Sequence, residues 1–300
     1  MKRTNNVFHV GDLTITRLDE LTLTGAAPEV LFVGDWQPEA LEQHRHWLSP
    51  QNFDFASGKL IQSTHSWLVQ SPNFTLLVDT ASGNDKERPN KLIFHRLQTD
   101  FLAQLERAGV RPESVDYVLL THLHVDHVGW NTRLLDGKWQ PTFPNATYFF
   151  SQTEAEFYGD SESDNPAVVG NRQVFADSVQ PIIDAGQFQL VPAGGGEVLE
   201  GIRFTPTPGH SIDHMSISIE SQGEEAFFAG DLLHHPLQVY YPELNSMYCD
   251  FEGIARASRL WALHHAADKP VTWFSTHFAD SSVGRVTQRG NDFQWTFLQA

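Results

Sequence analysis

Three histidines and an aspartate lie close together in the segment Thr121-His122-Leu123-His124-Val125-Asp126-His127. Neutral imidazole and carboxylate are ligands that zinc, iron, manganese and cobalt accept. The spacing does not suit one face of a helix, where neighbours are three or four residues apart. It suits a loop that leaves the apolar strand at 116–120 and turns, so that His122 and His124 point one way while Asp126 and His127 reach a second position. A polar surface turn is the alternative, but such turns favour Gly, Pro, Asn, Asp and Ser.

Three further candidate ligands follow apolar segments later in the chain. His210 stands in a Thr-Pro-Gly-His-Ser segment, Asp231 in Phe-Ala-Gly-Asp-Leu, and His277 in Phe-Ser-Thr-His-Phe. Each position is predicted to be a short loop at the end of a strand. Together with the four earlier residues they give seven candidate ligands, which is enough for two metal ions that share one carboxylate. Any one of these residues alone would more often be an ordinary polar group, so the prediction depends on all of them.

The succession of motifs resembles that of the metallo-β-lactamase superfamily: His-x-His-x-Asp-His, then Pro-Gly-His, then Gly-Asp, then a late His. The resemblance extends from about His65 to His277. It implies an α/β fold, the αβ/βα four-layer sandwich, with two mixed β-sheets face to face, helices outside, and the metals at one edge. It also implies a ligand set for each ion, with Asp231 bridging the two ions. The sets are His122, His124 and His210 for one ion, and Asp126, His127 and His277 for the other.

The hydrophobic pattern predicts alternating strands and helices, as expected for a layered α/β domain. Strands are predicted at 65–69, 74–79, 116–120, 188–191, 198–205, 215–219, 226–229 and 271–274. Helices are predicted at 91–108, 166–183 and 251–267, the second with Pro166 at its start. Asp79 ends the second strand. By the resemblance it lies beneath the histidine motif and orients a ligand, while an ordinary strand-end aspartate is the alternative.

The chain is predicted to form one domain over residues 1–300, because no linker or repeat separates two halves and the candidate ligands extend from 122 to 277. Residues 1–60 are predicted to include an arm that lines the substrate pocket or contributes to a homodimer interface. Aromatic residues after the histidine motif are predicted to line the same cavity or to pack in the core. The two aromatic groups are Phe32, Trp36, Trp47, Phe53 and Phe55, and Trp130, Phe143, Tyr148 and Phe149.

The chain carries 20 basic and 37 acidic residues, a formal net charge of −17. Nucleic-acid binding needs a basic surface, so we expect neither a nucleic-acid partner nor nuclease activity. The amino-terminal residues lack the apolar stretch of a signal peptide, and no run of about 18 apolar residues is present, so we expect no membrane association. The single cysteine, Cys249, suits a reducing compartment, and we predict a cytoplasmic location.

Individual positions distinguish branches of the superfamily. His124 stands where diiron flavoproteins of this superfamily typically have a carboxylate, which disfavours redox chemistry. Asp231 gives a bridging carboxylate that true β-lactamases do not need, since they would have Cys or Ser near that place. Thioesterases of the glyoxalase-II type share all seven ligands. They also carry a basic carboxy-terminal region for glutathione, whereas residues 293–298 here are mainly apolar.

His234 lies three residues after Asp231, where acyl-homoserine lactonases of this superfamily often have a tyrosine. In this respect the chain resembles the methyl parathion hydrolase branch, whose members resemble lactonases and arylesterases with added phosphotriesterase activity. A histidine there could donate a hydrogen bond to a carbonyl or phosphoryl oxygen, and packing beside the loop is the alternative. His235 is expected to pack, because only one of two adjacent side chains should face the metals.

The predicted function is a dinuclear metal-dependent hydrolase that cleaves a lactone or carboxylic ester through a metal-bridging hydroxide, with phosphotriesterase side activity. Two divalent ions are the predicted cofactors, zinc first, with iron, manganese or cobalt as alternatives. Asp126, Asp231 and His234 are the predicted catalytic residues, and the predicted substrate is a small uncharged ester. The alternatives are a thioesterase of the glyoxalase-II type and, among non-enzymes, a metal-dependent binding or regulatory protein.

Overall fold

The computed structural model describes residues 6–34, 36–48 and 50–300. In this part of the chain the strands are β1 Val7–Val10, β2 Leu13–Thr24, β3 Phe32–Val33, β4 Phe53–Asp54, β5 Lys59–Gln70, β6 Thr75–Val78, β7 Tyr117–Leu119, β8 Thr132–Leu135, β9 Lys138–Pro141, β10 Thr147–Ser151, β11 Phe188–Val191, β12 Gly196–Leu199, β13 Ile202–Pro206, β14 Met215–Ser221, β15 Glu224–Phe228, β16 Asn245–Ser246, β17 Val271–Phe274, β18 Val283–Arg289 and β19 Asp292–Phe297. The α-helices are α1 Pro28–Leu31, α2 Glu39–Gln43, α3 Arg45–Leu48, α4 Phe101–Arg107, α5 Gln152–Gly159, α6 Pro166–Val174, α7 Gln180–Asp184, α8 Leu237–Tyr240 and α9 Glu252–Asp268.

Most of these strands belong to two mixed sheets. The first has the order β1-β2-β5-β6-β7-β10-β11, with β4 paired to β5, and the second has the order β12-β13-β14-β15-β17-β18-β19. Strands β6, β7, β10 and β11 are parallel, and so are β15 and β17. Parallel strands end at the same edge of a sheet, so the loops that follow them come together there.

The two sheets pack face to face through an apolar layer. Ile15, Val69 and Leu76 of the first sheet meet Ile217 and Phe274 of the second in this layer. A second apolar cluster lies between the first sheet and helices α4 to α7, and a third joins α9 to the second sheet. The αβ/βα four-layer arrangement predicted from the sequence is confirmed. None of the helices in the described ranges combines the length and apolarity needed to cross a bilayer.

The predicted helix at 91–108 is wrong over its first half. A 3₁₀ turn at Leu92–Phe94 is followed by non-helical chain, and α4 begins only at Phe101. The N–H of Arg96 donates to the carbonyl of Lys86, outside any helix, and Arg96 has a φ of 50°, which a right-handed helix excludes. Hydrogen bonds to a neighbouring segment therefore outweigh the helical spacing of the apolar residues.

The other predicted elements are present with small changes. The strand predicted at 198–205 is two strands, because a turn at Glu200 and Gly201, where Gly201 has a φ of 73°, separates β12 from β13. The helix predicted at 166–183 consists of α6, a π-helical turn at Phe175–Val179, and α7. The sequence analysis did not identify β1, β2, β10, β18 or β19, which complete the two sheets.

Both aromatic groups pack in apolar clusters. Phe32 and Phe53 are buried against Leu237 and Leu244, and Trp36, Trp47 and Phe55 pack around them. The group that follows the histidine motif is buried on the two faces of the first sheet. Neither group is among the residues that line the cavity at the candidate ligands, in agreement with the alternative of core packing, and a substrate-pocket arm within residues 1–60 stays a prediction. A role of residues 1–60 in a homodimer stays a prediction.

Candidate metal centre

The seven predicted ligands come together at the edge where the parallel strands end. Four follow β7, and the others follow β13, β15 and β17. Their donor atoms form groups in which every pair lies within 4.8 Å. We define the first ligand set as His122, His124 and His210, and the second ligand set as Asp126, His127 and His277. A further group joins His122, His127 and Asp231, and so connects the two sets.

The Asp231 carboxylate lies between the two ligand sets. Its Oδ1 is 3.2 Å from His127 Nε2, and its Oδ2 is 3.2 Å from His210 Nε2. Both oxygens are 3.1 Å from His277 Nε2. The carboxylate is 4% exposed. Oδ1 therefore contacts His127 of the second ligand set and Oδ2 contacts His210 of the first, as expected of a carboxylate that bridges two ions.

The electrostatics of the centre favour cations. Burial lowers the pKa of all three histidines in the first ligand set, that of His124 to about 3. Burial acts in the same direction at His127 and His277, but the charge of Asp231 outweighs it and raises both pKa values, that of His277 to about 9. The first set therefore offers neutral imidazoles with free lone pairs, while the second set lies in a field that attracts positive charge.

Two buried atoms at the middle of the centre have no hydrogen-bond partner among the described residues. They are His127 Nε2 and Asp231 Oδ1. Buried polar groups without partners are rare because they are costly. Coordination of a cation would satisfy both atoms, and imidazole nitrogen with carboxylate oxygen is a donor set that zinc and neighbouring divalent metals accept. The residues present therefore fit a pair of divalent ions.

Asp79 lies beneath the histidine motif, where the sequence predicted it. Its Oδ2 accepts a hydrogen bond from His127 Nδ1 at 2.9 Å, and its Oδ1 accepts from the backbone N–H of Thr121 at 2.8 Å. Asp79 has a φ of 58°, an unfavourable conformation for a residue other than glycine. This backbone conformation, directly after β6, directs the carboxylate at the loop, so that His127 turns its other nitrogen to the centre.

Helix α5 carries two residues that the sequence analysis missed. Tyr158 Oη forms a hydrogen bond of 2.9 Å with His124 Nε2, and His124 Nδ1 faces His210. Glu154 is buried and accepts from the backbone N–H groups of Leu123 and Asp213, so it joins two of the ligand-bearing loops. Glu154 and Tyr158 lie four residues apart on one helical face, but no local pattern connects them to the histidine motif.

His214 was also missed, and it fixes the backbone of Asp231. Its Nε2 accepts from the backbone N–H of Asp231 at 2.9 Å, so its Nδ1 carries the proton and donates to the carbonyl of Thr207 at 3.2 Å. Burial lowers the pKa of His214 to about 4, which keeps the imidazole neutral. Gly230 has a φ of 53°, and a Cβ there would lie 2.3 Å from His214 Nε2. Only glycine permits this close approach.

His234 faces the centre from the same loop as Asp231. Its Nε2 lies 3.3 Å from Asp231 Oδ2, and its ring stacks on that of His277 with centroids 5.3 Å apart. Neither ring nitrogen has a hydrogen-bond partner among the described residues. The backbone of His234 is held on both sides, because its N–H donates to Gln238 and its carbonyl accepts from Gln62. The ring is therefore placed firmly, while its two nitrogens have no protein partner among the described residues.

His235 points away from the centre, as the sequence predicted. Its Nε2 donates to the backbone carbonyl of Asn52 at 2.9 Å, and its ring packs against the edge of Phe32. Its Nδ1 accepts from the backbone N–H of Leu237. Both ring nitrogens are thus occupied by structural contacts, in contrast to those of His234.

A cavity of about 560 Å³ opens above the centre. Its floor consists of His124, Asp126, His210, Asp231, His234 and His277. Its walls are mainly apolar: the 3₁₀ turn contributes Leu92 and Ile93, the segment after β16 contributes Met247 and Tyr248, and α6 forms a third wall. Leu92 is 76% exposed and therefore stands at the rim.

A second depression of about 710 Å³ is formed by turns at 71–74 and 220–223, and none of the candidate ligands lines it.

Known relatives share parts of this chain. The N-acyl homoserine lactonase AiiA of Bacillus thuringiensis subsp. kurstaki is 27% identical over 118 residues, which are 39% of this chain and 38% of the relative. The lactamase-like protein nscB of Arthroderma gypseum is 30% identical over 181 residues, which are 60% of this chain and 42% of the relative. The chain thus covers about two fifths of the length of these relatives.

Solved structures match the whole fold. The hydrolase AbOPH of the beta lactamase superfamily has a TM-score of 0.81 at 25% identity, over 98% of this chain and 97% of the other. AidC, described as a dizinc quorum-quenching lactonase, has a TM-score of 0.74 at 20% identity over 98% of each chain. The family model of the metallo-beta-lactamase superfamily matches residues 62–277, which include all seven candidate ligands. The chain therefore belongs to the metallo-beta-lactamase superfamily.

Proposed function

We propose that the protein is a dinuclear metal-dependent hydrolase that cleaves a lactone or a carboxylic ester, with phosphotriesters as a side activity. The observation that carries the proposal is the convergence of seven imidazole and carboxylate groups on the floor of an apolar cavity. We assign one divalent ion to the first ligand set, one to the second, and Asp231 to both. Zinc is the ion we propose, because four or more nitrogen and oxygen donors at a site open to a cavity suit catalytic zinc.

The residues have separate roles in the proposed reaction. The bound ions would supply Lewis acidity and activate a water molecule as the nucleophile at neutral pH. Asp126 and Asp231 are the carboxylates that belong both to the ligand groups and to the cavity floor, so we assign them transfer of the proton from the attacking water to the leaving alkoxide. We assign His234 to donate a hydrogen bond to the oxygen that gains negative charge as the acyl carbon is attacked.

The cavity supports an uncharged, partly apolar substrate. Lys91 is the one Lys or Arg side chain among the described residues that line it, so polyanionic substrates lack a binding surface. Residues 293–297, which lack the basic character expected of a glutathione-binding region, lie in β19 at the edge of the second sheet and are not among the residues that line the cavity. These observations favour lactones and simple esters over glutathione thioesters.

A substrate panel tests this choice. We expect the purified, metal-loaded protein to hydrolyse lactones and aryl esters best, paraoxon-like triesters more slowly, and glutathione thioesters least, because the apolar walls can bury uncharged groups only. Initial rates with and without added chelator give the metal-dependent part of each activity. A glutathione thioester hydrolysed far faster than every lactone and ester would contradict the proposed substrate class. Absence of turnover on the whole panel would favour a binding protein instead.

Asp79→Asn is expected to lower metal affinity by roughly 10-fold or more, because an amide cannot accept on both atoms where the carboxylate now accepts from His127 and Thr121. The measurement is metal retained per chain during dialysis against increasing chelator concentrations. Asp116→Asn is the matched control: Asp116 also lies beside a strand end and accepts from the backbone N–H of Thr75, but it contacts no candidate ligand. Equal metal retention in the two variants would show that Asp79 has no role in metal binding.

A further inference from the structure

Arg259 of α9 is a buried cation whose hydrogen bonds go to no carboxylate among the described residues. Its side chain is 0% exposed, and burial lowers its pKa to about 10, so the guanidinium stays charged at neutral pH. Its partners are neutral oxygens of the chain that precedes α9. Nε donates to the carbonyl of Leu232 at 3.1 Å, Nη1 to that of Pro242 at 2.6 Å, and Nη2 to Asn245 Oδ1 at 3.3 Å. A buried charge without an opposite partner is costly, so it calls for an explanation.

The contact with Leu232 fixes the middle of the loop that carries the bridging carboxylate. Leu232 directly follows Asp231 and lies two residues before His234. The same guanidinium contacts the segment 242–245, which leads through β16 into one wall of the cavity. Arg259 therefore joins a loop of the cavity floor to the segment that forms a wall.

A second side chain connects the same two parts of the chain. Gln238 accepts from the N–H of His234 through Oε1 and donates through Nε2 to the carbonyl of Leu244, each at 2.8 Å. Gln238 and Arg259 thus hold the loop to the segment 242–245 at two points. The backbone from 232 to 234 depends on both contacts for its position.

The contact made by Arg259 matters more for His234 than for Asp231. The Asp231 backbone has its own partner in His214, and its carboxylate is the group shared by the two proposed ions. The ring of His234 has no hydrogen-bond partner at either nitrogen among the described residues, and it is placed by its backbone and by stacking on His277. Its position relative to a substrate therefore follows the loop, and a misplacement of about 1 Å can cost roughly 10²-fold in rate.

We propose that Arg259 is a positioning residue that acts in the reaction through His234. It fixes the loop so that the imidazole meets the oxygen that gains negative charge, although Arg259 itself does not line the cavity. The inference rests on the proposed hydrolase function and adds to it a residue outside the cavity. A guanidinium suits the task because its planar fork donates in several fixed directions, whereas the ammonium of lysine is one compact group.

A double-mutant cycle measures whether Arg259 acts through His234. Arg259→Met, which keeps much of the length and removes the donors, is expected to keep two metal ions per chain. It should lose about 10²-fold in kcat on the best lactone or ester, with little change in KM. In the His234→Ala background the same change should cost less than about twofold, because the side chain that it positions is absent. Arg259→Lys keeps the charge and folds if Arg259→Met does not, and its smaller loss should likewise disappear with His234→Ala.

Ser258→Ala is the matched control at the adjacent position of α9. Ser258 Oγ donates to the carbonyl of Pro208 at 2.7 Å, in the loop that carries His210. It thus holds a different ligand loop by the same kind of contact, so any loss in kcat should be equal in the parent and His234→Ala backgrounds. Equal losses in the two backgrounds for the Arg259 variants would overturn the inference, and so would loss of metal, which would place the effect at the ligands.

The ring signals of His234 give a readout that needs no turnover. In proton–nitrogen correlation spectra of the zinc-loaded protein, these signals are identified by their loss in His234→Ala. They should be single in the parent and in Ser258→Ala, and broadened or split in Arg259→Met, because a loosened loop exchanges between positions. Unchanged signals in Arg259→Met would contradict the inference. If the signals broaden while the metal-loaded parent hydrolyses nothing in the substrate panel, the positioning is supported and it is the proposed function that fails.

Discussion

Asp231→Ala is expected to lose bound metal and roughly 10³-fold or more in turnover together, because bound metal ions contribute several kcal/mol to catalysis of this kind. The carboxylate lies within 3.3 Å of four imidazoles, those of His127, His210, His234 and His277. Its removal leaves the two ligand sets without their shared group. Neutral alanine also removes the negative charge that offsets two cations in a buried site.

Metal per chain after gel filtration and kcat/KM on the best lactone or ester test this expectation. His124→Ala should give the same result, because His124 Nδ1 faces His210 in the first ligand set. Asp250→Asn is the control: Asp250 also lines the cavity but belongs to none of the candidate metal-binding groups in the described residues. Full activity in an Asp231 or His124 variant that holds no metal would contradict the proposed mechanism.

His234→Ala is expected to keep two metal ions per chain and to lose about 10²–10³-fold in kcat, the usual cost of removing one donor to a developing oxyanion. The ring lies beside Asp231 on the cavity floor, and both of its nitrogens are without partners among the described residues. An imidazole carries at least one N–H in either protonation state, so a donor is always available. A loss in kcat with little change in KM is the pattern of an interaction made mainly in the transition state.

His235→Ala is the matched control for the adjacent position. His235 is fully buried and hydrogen-bonded to Asn52, so its removal should lower the free energy of unfolding by about 2 kcal/mol and leave kcat per folded chain at the parent level.

His234 also belongs to a group with His210 and Asp231 that is compact enough to hold a metal. Loss of one metal in His234→Ala would make it a ligand, and retention of both metal and rate would leave it a packing residue.

The fold class and the candidate ligands were predictable because the information is local. His122, His124, Asp126 and His127 are an unusual combination within one short loop, and the apolar segment before them predicts a strand. The Pro-Gly-His and Gly-Asp segments carry the same kind of local signal. Asp79 follows an apolar strand ahead of the motif, but only the resemblance to the metallo-β-lactamase superfamily assigned it a place beneath the histidines. Such patterns need no knowledge of which strands become neighbours.

The segment at 91–108 shows where local pattern fails. Its apolar spacing predicts one helix. The backbone N–H of Arg96 instead donates a hydrogen bond to the carbonyl of Lys86, and the chain before α4 is not helical. This non-helical segment leaves Leu92 and Ile93 at the cavity, which the aromatic residues of the amino-terminal segment do not line. Hydrogen bonds between segments decide such cases, and hydrophobic periodicity does not report them.

The sequence by itself determined the chemistry proposed for the centre: which residues are candidate metal ligands, in what order they occur, and that each follows a strand. Only the tertiary structure decided which side chains surround them. The histidine motif is contacted by helices that lie 31 to 48 residues further along the chain, through Tyr158, Glu154 and Asn171. Strand order and helix packing bring these helices to the motif. The divergence of the adjacent histidines was expected from the sequence, and the structure supplied its contacts: His234 lies beside Asp231, while His235 donates to Asn52.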